Sequence, residues 1–388
     1  PNGMKYALMA NATPKDTVLI RLRFDVGSFA EADDQRGLAH FLEHMAFNGS
    51  TNVPEGEMVK LLERKGLAFG ADTNASTNFD ATEYKLDLPN ASDDLVDTGL
   101  MLMRETASEL IISAEAVERE RGVILSERRA RDTYQLRNVL ASIGFYFPDM
   151  LVKDRFPIGT EEVLKTAPPQ RIRDFYEAYY RPERATLVIA GDFDVAAMEA
   201  KIRARFADWQ GKGANGADPV IGKPDPARPA AADVYVDPAI GDGVALTRFR
   251  PWQFEADTRE RRIRTLAESL GSAILNRRFQ KLALAEDSPI QGASFGLSRN
   301  WDAVDQVGGS AGVKEGAWQA GLALIDAEWR RALEHGFTDA ELAEAVANRR
   351  TALDNAVKGV TTRRSEGLAA GLLGMADGDG RFIFSRPE

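Results

Sequence analysis

The stretch GLAHFLEHMAFNGS, residues 37–50, contains two of the three histidines in a 388-residue chain, four positions apart, with a glutamate directly before the second. Leu38, Phe41, Leu42 and Met45 recur at helical spacing, which predicts an amphipathic helix over residues 37–48. At about 100° per residue, positions four apart differ by about 40° and one turn of rise. His40 and His44 therefore project side by side, at a spacing that suits one metal ion. Glu43 lies beside them, close enough to take a proton from a water at that ion without being a ligand. A solvated helix edge is the competing account of the same letters.

A tetrahedral catalytic zinc takes three protein ligands and leaves its fourth position open, so a third ligand is needed. AVERERGVILSERRARD, residues 116–132, offers Glu120 and Glu127, seven apart and on one stripe with Val117 and Ile124. Two carboxylates on a stripe that reads as buried need cations or a metal to offset their desolvation. The alternative is an ordinary charged helix in which Glu127 pairs with Arg131 four residues on. His335, in LEHGFTDAEL, precedes a glycine at a helix end and a Thr338–Glu341 capping box, and reads as structural.

The bulk numbers exclude several function classes. A net charge of −10 provides no field for phosphate backbones, and the basic residues are scattered among acids, so nucleic acid is not an expected partner. No apolar run reaches the roughly 18 residues of a membrane span. The absence of cysteine removes disulfides, thiolate metal sites and cysteine nucleophiles together.

The length suits two cores. Residues 211–232, GKGANGADPVIGKPDPARPAAA, are Gly, Pro and Ala without apolar periodicity and read as a linker. The expected organisation is a first domain over 1–212, a linker over 213–232 and a second domain over 233–388. Before the linker, strand-like runs (GMKYALMA, TVLIRLRFDV, ATEYKLDLP, ATLVIAGDF) mix with helical patterns near 37–48, 55–65, 92–111, 114–140, 168–179 and 195–208. After it come strands near 233–237 and 243–249, a helix near 257–285, strands around 291–313, and helices at 316–335 and 339–357. The class is α+β, and the two halves share an order of elements. At the end, Ser385, Pro387 and Glu388 have the spacing of a capped helix start, which predicts a longer polypeptide.

GLAHFLEHMAFNGS followed by VERERGVILSE resembles the pitrilysin, insulin-degrading-enzyme and mitochondrial processing peptidase family of zinc peptidases, the HxxEH inverzincins. The similarity runs from PNGMKY through YYRPERATLVIAGDFD and thins in the second half. The resemblance implies a half-clamshell of two related domains, each an antiparallel-rich sheet covered by helices. It implies one Zn2+ per chain held by His40, His44 and Glu127, with Glu43 as general base and Glu120 as a supporting acid. NASTNFDATEY resembles the opening of the family's substrate-binding edge strand, which makes Asn74 and Ala75 candidates for holding peptide backbone, with Phe47 a further substrate-binding candidate. The extended substrate would lie along a strand from Asn74 to Leu88.

Family members complete their site with an arginine and a tyrosine from a distant domain. FQKLALAEDSPIQGASFG, residues 279–296, has neither, and Arg277 and Arg278 come too early in the segment. The resemblance therefore implies a C-terminal half or partner subunit that supplies them, peptide substrates, and an exported or periplasmic location. Two other functions remain open from the residues: a binding or scaffold subunit without turnover, and a mononuclear iron oxygenase built on the same two histidines and one carboxylate.

Overall fold

The computed structural model describes residues 2–376, so the helix start expected at Ser385 lies outside the described residues. Packing gathers the chain into two units that do not follow chain order. The first holds the chain through Asp132, then Leu151–Ile221, then the segment from Thr362; the second holds Thr133–Met150 and Gly222–Thr361.

The first unit runs through β1 (Lys5–Ala10), β2 (Val18–Phe24), α1 (Leu38–Met45), α2 (Glu57–Arg64), β3 (Thr73–Thr77), β4 (Thr82–Leu88), α3 (Asp93–Ser108) and α4 (Ala114–Arg131). After α5 (Tyr134–Tyr146), which belongs to the second unit, it continues with α6 (Glu161–Thr166), α7 (Pro169–Tyr179), β5 (Ala185–Gly191) and α8 (Val195–Phe206). The sheet order is β1-β5-β2-β4-β3. β5 runs parallel to β1 and antiparallel to β2, β4 pairs antiparallel with β2, and β3 with β4, which leaves β3 at a margin. β5, ATLVIAG, is buried at every position, and β2 at all but Arg23. Such continuous burial requires cover on both faces, which is why β5 reads as a nearly continuous apolar run; β2 is interrupted by Arg21 and Arg23, of which Arg21 is buried and paired with Asp87.

Phe24, at the end of β2, has no exposed surface. Its ring stacks on Tyr180 at 4.0 Å between centroids and meets Tyr84 and Trp209 edge-on. Truncating it leaves a cavity that these rings cannot fill, so Phe24→Ala is expected to destabilise this unit by about 3–5 kcal/mol, read as a lower midpoint in urea unfolding.

The second unit contains β6 (Gly243–Pro251), α9 (Arg259–Ala283), β7 (Ile290–Asn300), β8 (Val304–Val313), α10 (Trp318–His335) and α11 (Asp339–Lys358). Its order, β6-β8-β7, matches β2-β4-β3: one strand, an intervening helical stretch, then a hairpin whose second strand takes the middle. Leu275, Phe279, Ile290, Val313 and Ile325 form its core. The last helix, α12 (Ser365–Ala376), returns to the first unit and packs on β5 and β2. The protein is α+β throughout.

Three expectations differ from what forms. Residues 233–237 are not a strand: Val234 and Val236 are 81% and 82% exposed, because alternation alone makes no strand without a neighbour to pair with. The helix expected over 114–140 breaks at Asp132, where the Thr133 side chain accepts from Leu136 N–H and starts α5 afresh. The strand expected from Asn74 to Leu88 is the hairpin β3–β4, with its turn between Thr77 and Thr82. The capping box at Thr338 and Glu341 forms as its spacing predicts, directly after His335 closes α10.

Candidate metal centre

α1 begins at Gly37, whose φ of +102° lies in the region that favours glycine. The turn is also tight: a Cβ on Gly37 would come within 2.9 Å of Gly159 Cα, and one on Gly159 within 2.4 Å of Gly37 Cα. Glu31, buried, satisfies the first turn of the helix, with its carboxylate accepting from Gly37 N–H at 2.9 Å and Ala39 N–H at 2.8 Å. Burial pushes the Glu31 carboxyl up to about 8, against the pull of those two donors and of Arg155 and Arg36. Both ends of this arrangement fix where α1 points.

α1 packs against α4, where Val117 and Ile124 are fully buried. The packing brings three donor atoms together: His44 Nε2 lies 3.2 Å from His40 Nε2 and 3.2 Å from Glu127 Oε2, and His40 Nε2 lies 3.6 Å from the same oxygen. Tetrahedral zinc bonds of about 2.0–2.1 Å place neighbouring donors roughly 3.3 Å apart. The donor set thus has the type and spacing that zinc takes. Glu127 also serves Arg131, its Oε1 lying 2.5 Å from the guanidinium while its Oε2 faces the two rings, so the ion pair does not occupy the oxygen that a ligand role would use.

Glu120 does not reach the converging atoms. Its Oε1 sits 2.7 Å from His44 Nδ1, and its Oε2 accepts from Asn48 Nδ2 at 3.0 Å, while that same Asn48 amide also donates to His44 O. A carboxylate on one ring nitrogen fixes the tautomer and turns the other nitrogen toward a ligand, so Glu120 is placed to orient His44. Removing it is expected to weaken zinc affinity by about 10–100-fold in Glu120→Ala, measured by chelator competition, with the helices intact by circular dichroism.

The electrostatics set the two rings apart. Burial, with the neighbouring charges of His44 and Arg131, pushes His40 down to about 3 and keeps its ring neutral. Burial also pulls His44 down, but the Glu120 hydrogen bond and the charges of Glu120, Glu43 and Glu127 outweigh it and leave the ring raised. Glu43 is raised by burial, an effect opposed by a hydrogen bond from Thr77.

The other expected residues are less assembled. Phe47 packs edge-on to Phe69 at 5.4 Å, with Phe69 half exposed. Asn74 and Ala75 lie on β3, Asn74 exposed and Ala75 partly buried. Of the two hairpin strands β3 alone lies at a margin of the sheet, so a peptide added to this edge meets Asn74–Thr77 and not the whole span to Leu88. Arg277 and Arg278 are engaged within the second unit, by Glu344 and by Glu341 with Gly336 O respectively. Sequence reading missed Asn48 and Thr77. Asn48 is four residues past His44, a helical spacing that could have flagged it; Thr77 had no such signal.

Residues 6–146 match the family described as Insulinase (Peptidase family M16), and residues 166–349 match the one described as Peptidase M16 inactive domain. The probable zinc protease PqqL of Haemophilus influenzae is 37% identical over 195 residues, which is 50% of this chain and 21% of that relative. PqqL of Escherichia coli is 35% identical over 193 residues, with the same shares. The solved structure of the first half of the periplasmic protease PqqL from Escherichia coli is similar with a TM-score of 0.88 and 26% identity, over 100% of this chain and 82% of that one. Against the structure of that periplasmic protease as a longer chain, the same similarity covers 42% of it. The chain thus spans less than half the length of this relative.

Proposed function

The chain belongs to peptidase family M16, and from that premise we propose that it is the zinc-binding half of an endopeptidase that hydrolyses extended, unstructured peptides. The observation that carries this reading is the convergence of His40 Nε2, His44 Nε2 and Glu127 Oε2 at zinc-like spacing, with Glu43 adjacent in the same helix. When bound, zinc supplies a Lewis acid for the peptide carbonyl and makes water nucleophilic near neutral pH.

This chain's residues do the rest. His40, His44 and Glu127 hold the ion, and Glu120 orients His44. Glu43 accepts the proton of the attacking water and returns it to the leaving amine; its burial raises its affinity for that proton. The margin of β3 binds substrate by adding a strand, which reads backbone rather than side chains and so selects unfolded peptides. Asn74 and Ala75 are the residues of that margin, and Phe47 with Phe69 lines the approach. A second half contributes the arginine and tyrosine that residues 279–296 lack. The periplasmic location of the Escherichia coli relative supports an exported enzyme.

Cleavage of a fluorogenic peptide, with added zinc and with or without the second half, tests the reading. Zinc-dependent turnover that a chelator abolishes is the expected result. Binding of the peptide with no turnover in any combination would favour a non-catalytic subunit, a reading whose support is the description of the second matched module as inactive.

A further inference from the structure

The only hydrogen bond to the Glu43 side chain among the described residues comes from outside its own helix: Thr77 Oγ1 donates to Oε2 at 2.6 Å. Thr77 is the last residue of β3, paired with Thr82 across the hairpin. Side chains alternate along a strand, and those of Asn74 and Ser76 are exposed, so Thr73, Ala75 and Thr77 share the face that meets α1. Register alone decides this, since a slip of one residue would present a neighbour instead. The residue paired with Thr77 is secured too, because Thr82 Oγ1 donates to Val26 O and pins the start of β4.

A glutamate reaches its target through three rotatable bonds, and nothing in α1 itself fixes the last of them. A buried carboxylate with one oxygen held by a short hydrogen bond is restrained to one orientation; released, it samples several. We infer that Thr77 is the positioning residue of Glu43, and that the strand offered to substrate and the base offered to water are set by one side chain. This inference rests on the reading of Glu43 as general base.

Thr77→Val keeps the shape and removes the hydroxyl, and Thr77→Ser restores it. In the zinc-loaded protein assembled with its second half, Thr77→Val is expected to lower kcat by about 10–100-fold, as a base displaced by about an ångström would. KM and zinc affinity should stay within about twofold, and Thr77→Ser should recover most of kcat. A Thr77→Val enzyme with unchanged kcat overturns the inference, as does a loss carried by KM or zinc affinity, or one that serine does not rescue. A second measurement is independent of turnover: thermal unfolding of Thr77→Val, Glu43→Ala and the double variant. The two shifts should be non-additive, because each single change already breaks the same bond. Additive shifts overturn the inference whatever the peptidase assay gives, whereas non-additive shifts without peptide cleavage would leave Thr77 holding Glu43 and remove the proposed hydrolysis.

Discussion

Replacing Glu43 with glutamine is expected to lower kcat for peptide hydrolysis by about 100–10,000-fold while the protein keeps its zinc. The substitution preserves size, and an amide oxygen still accepts from Thr77, so the packing of α1 has no reason to change. What is lost is the ability to take a proton. Glu43 is buried but contributes no atom to the converging donors, so metal content after dialysis should match that of the unaltered protein. Equal loss of zinc in Glu43→Gln and in a ligand variant would refute this division of roles.

His44→Ala is expected to remove both zinc and hydrolysis. The change deletes Nε2, which lies 3.2 Å from each of the other two donors, and leaves only His40 and Glu127. It also strands Glu120, whose carboxylate is largely covered: burial raises it, and the bond to His44 together with the His44 charge, Asn48 and Arg119 holds it low. Loss of a direct ligand should exceed the 10–100-fold typical of an orienting partner, so zinc affinity should fall by more than about 100-fold in chelator competition. Retained affinity near the original would mean that His44 does not ligate.

The parts of the site that were legible in the sequence are those fixed by one helix. His40, Glu43 and His44 stand four residues apart or fewer, and the 3.6-residue period settles their directions without any tertiary knowledge. Glu120 and Glu127 were legible as a stripe on a second helix, but spacing alone could not separate the carboxylate facing the two rings from the one behind His44; only the family resemblance assigned them different roles. The distinction depends on how α1 lies across α4. Thr77 was illegible for the same reason in stronger form: its partner is 34 residues earlier, and a threonine in a polar run has no pattern of its own. In the fold, β5 was plain because burial on both faces leaves an apolar run, and β2 because its β-branched and aliphatic residues outnumber its two arginines. The hairpin β3–β4 was read as one strand because Asn78 to Ala81 carry no glycine or proline to mark a turn. α12 has an apolar composition without strong periodicity, and its place against β5 and β2 comes from the end of the described chain rather than from local signal.

The abutment of Gly37 on Gly159 sets an order of assembly. A nascent polypeptide possesses every donor once Glu127 has been synthesised, yet the brace behind α1 comes later, and β5 must still insert between β1 and β2. A product terminated just past Arg131 would own all three donor side chains but lack Gly159 behind Gly37 and strand β5 of its sheet. Under the proposed function, capture of zinc would therefore wait on the arrival of Gly159 and β5, which contribute none of the three donor atoms.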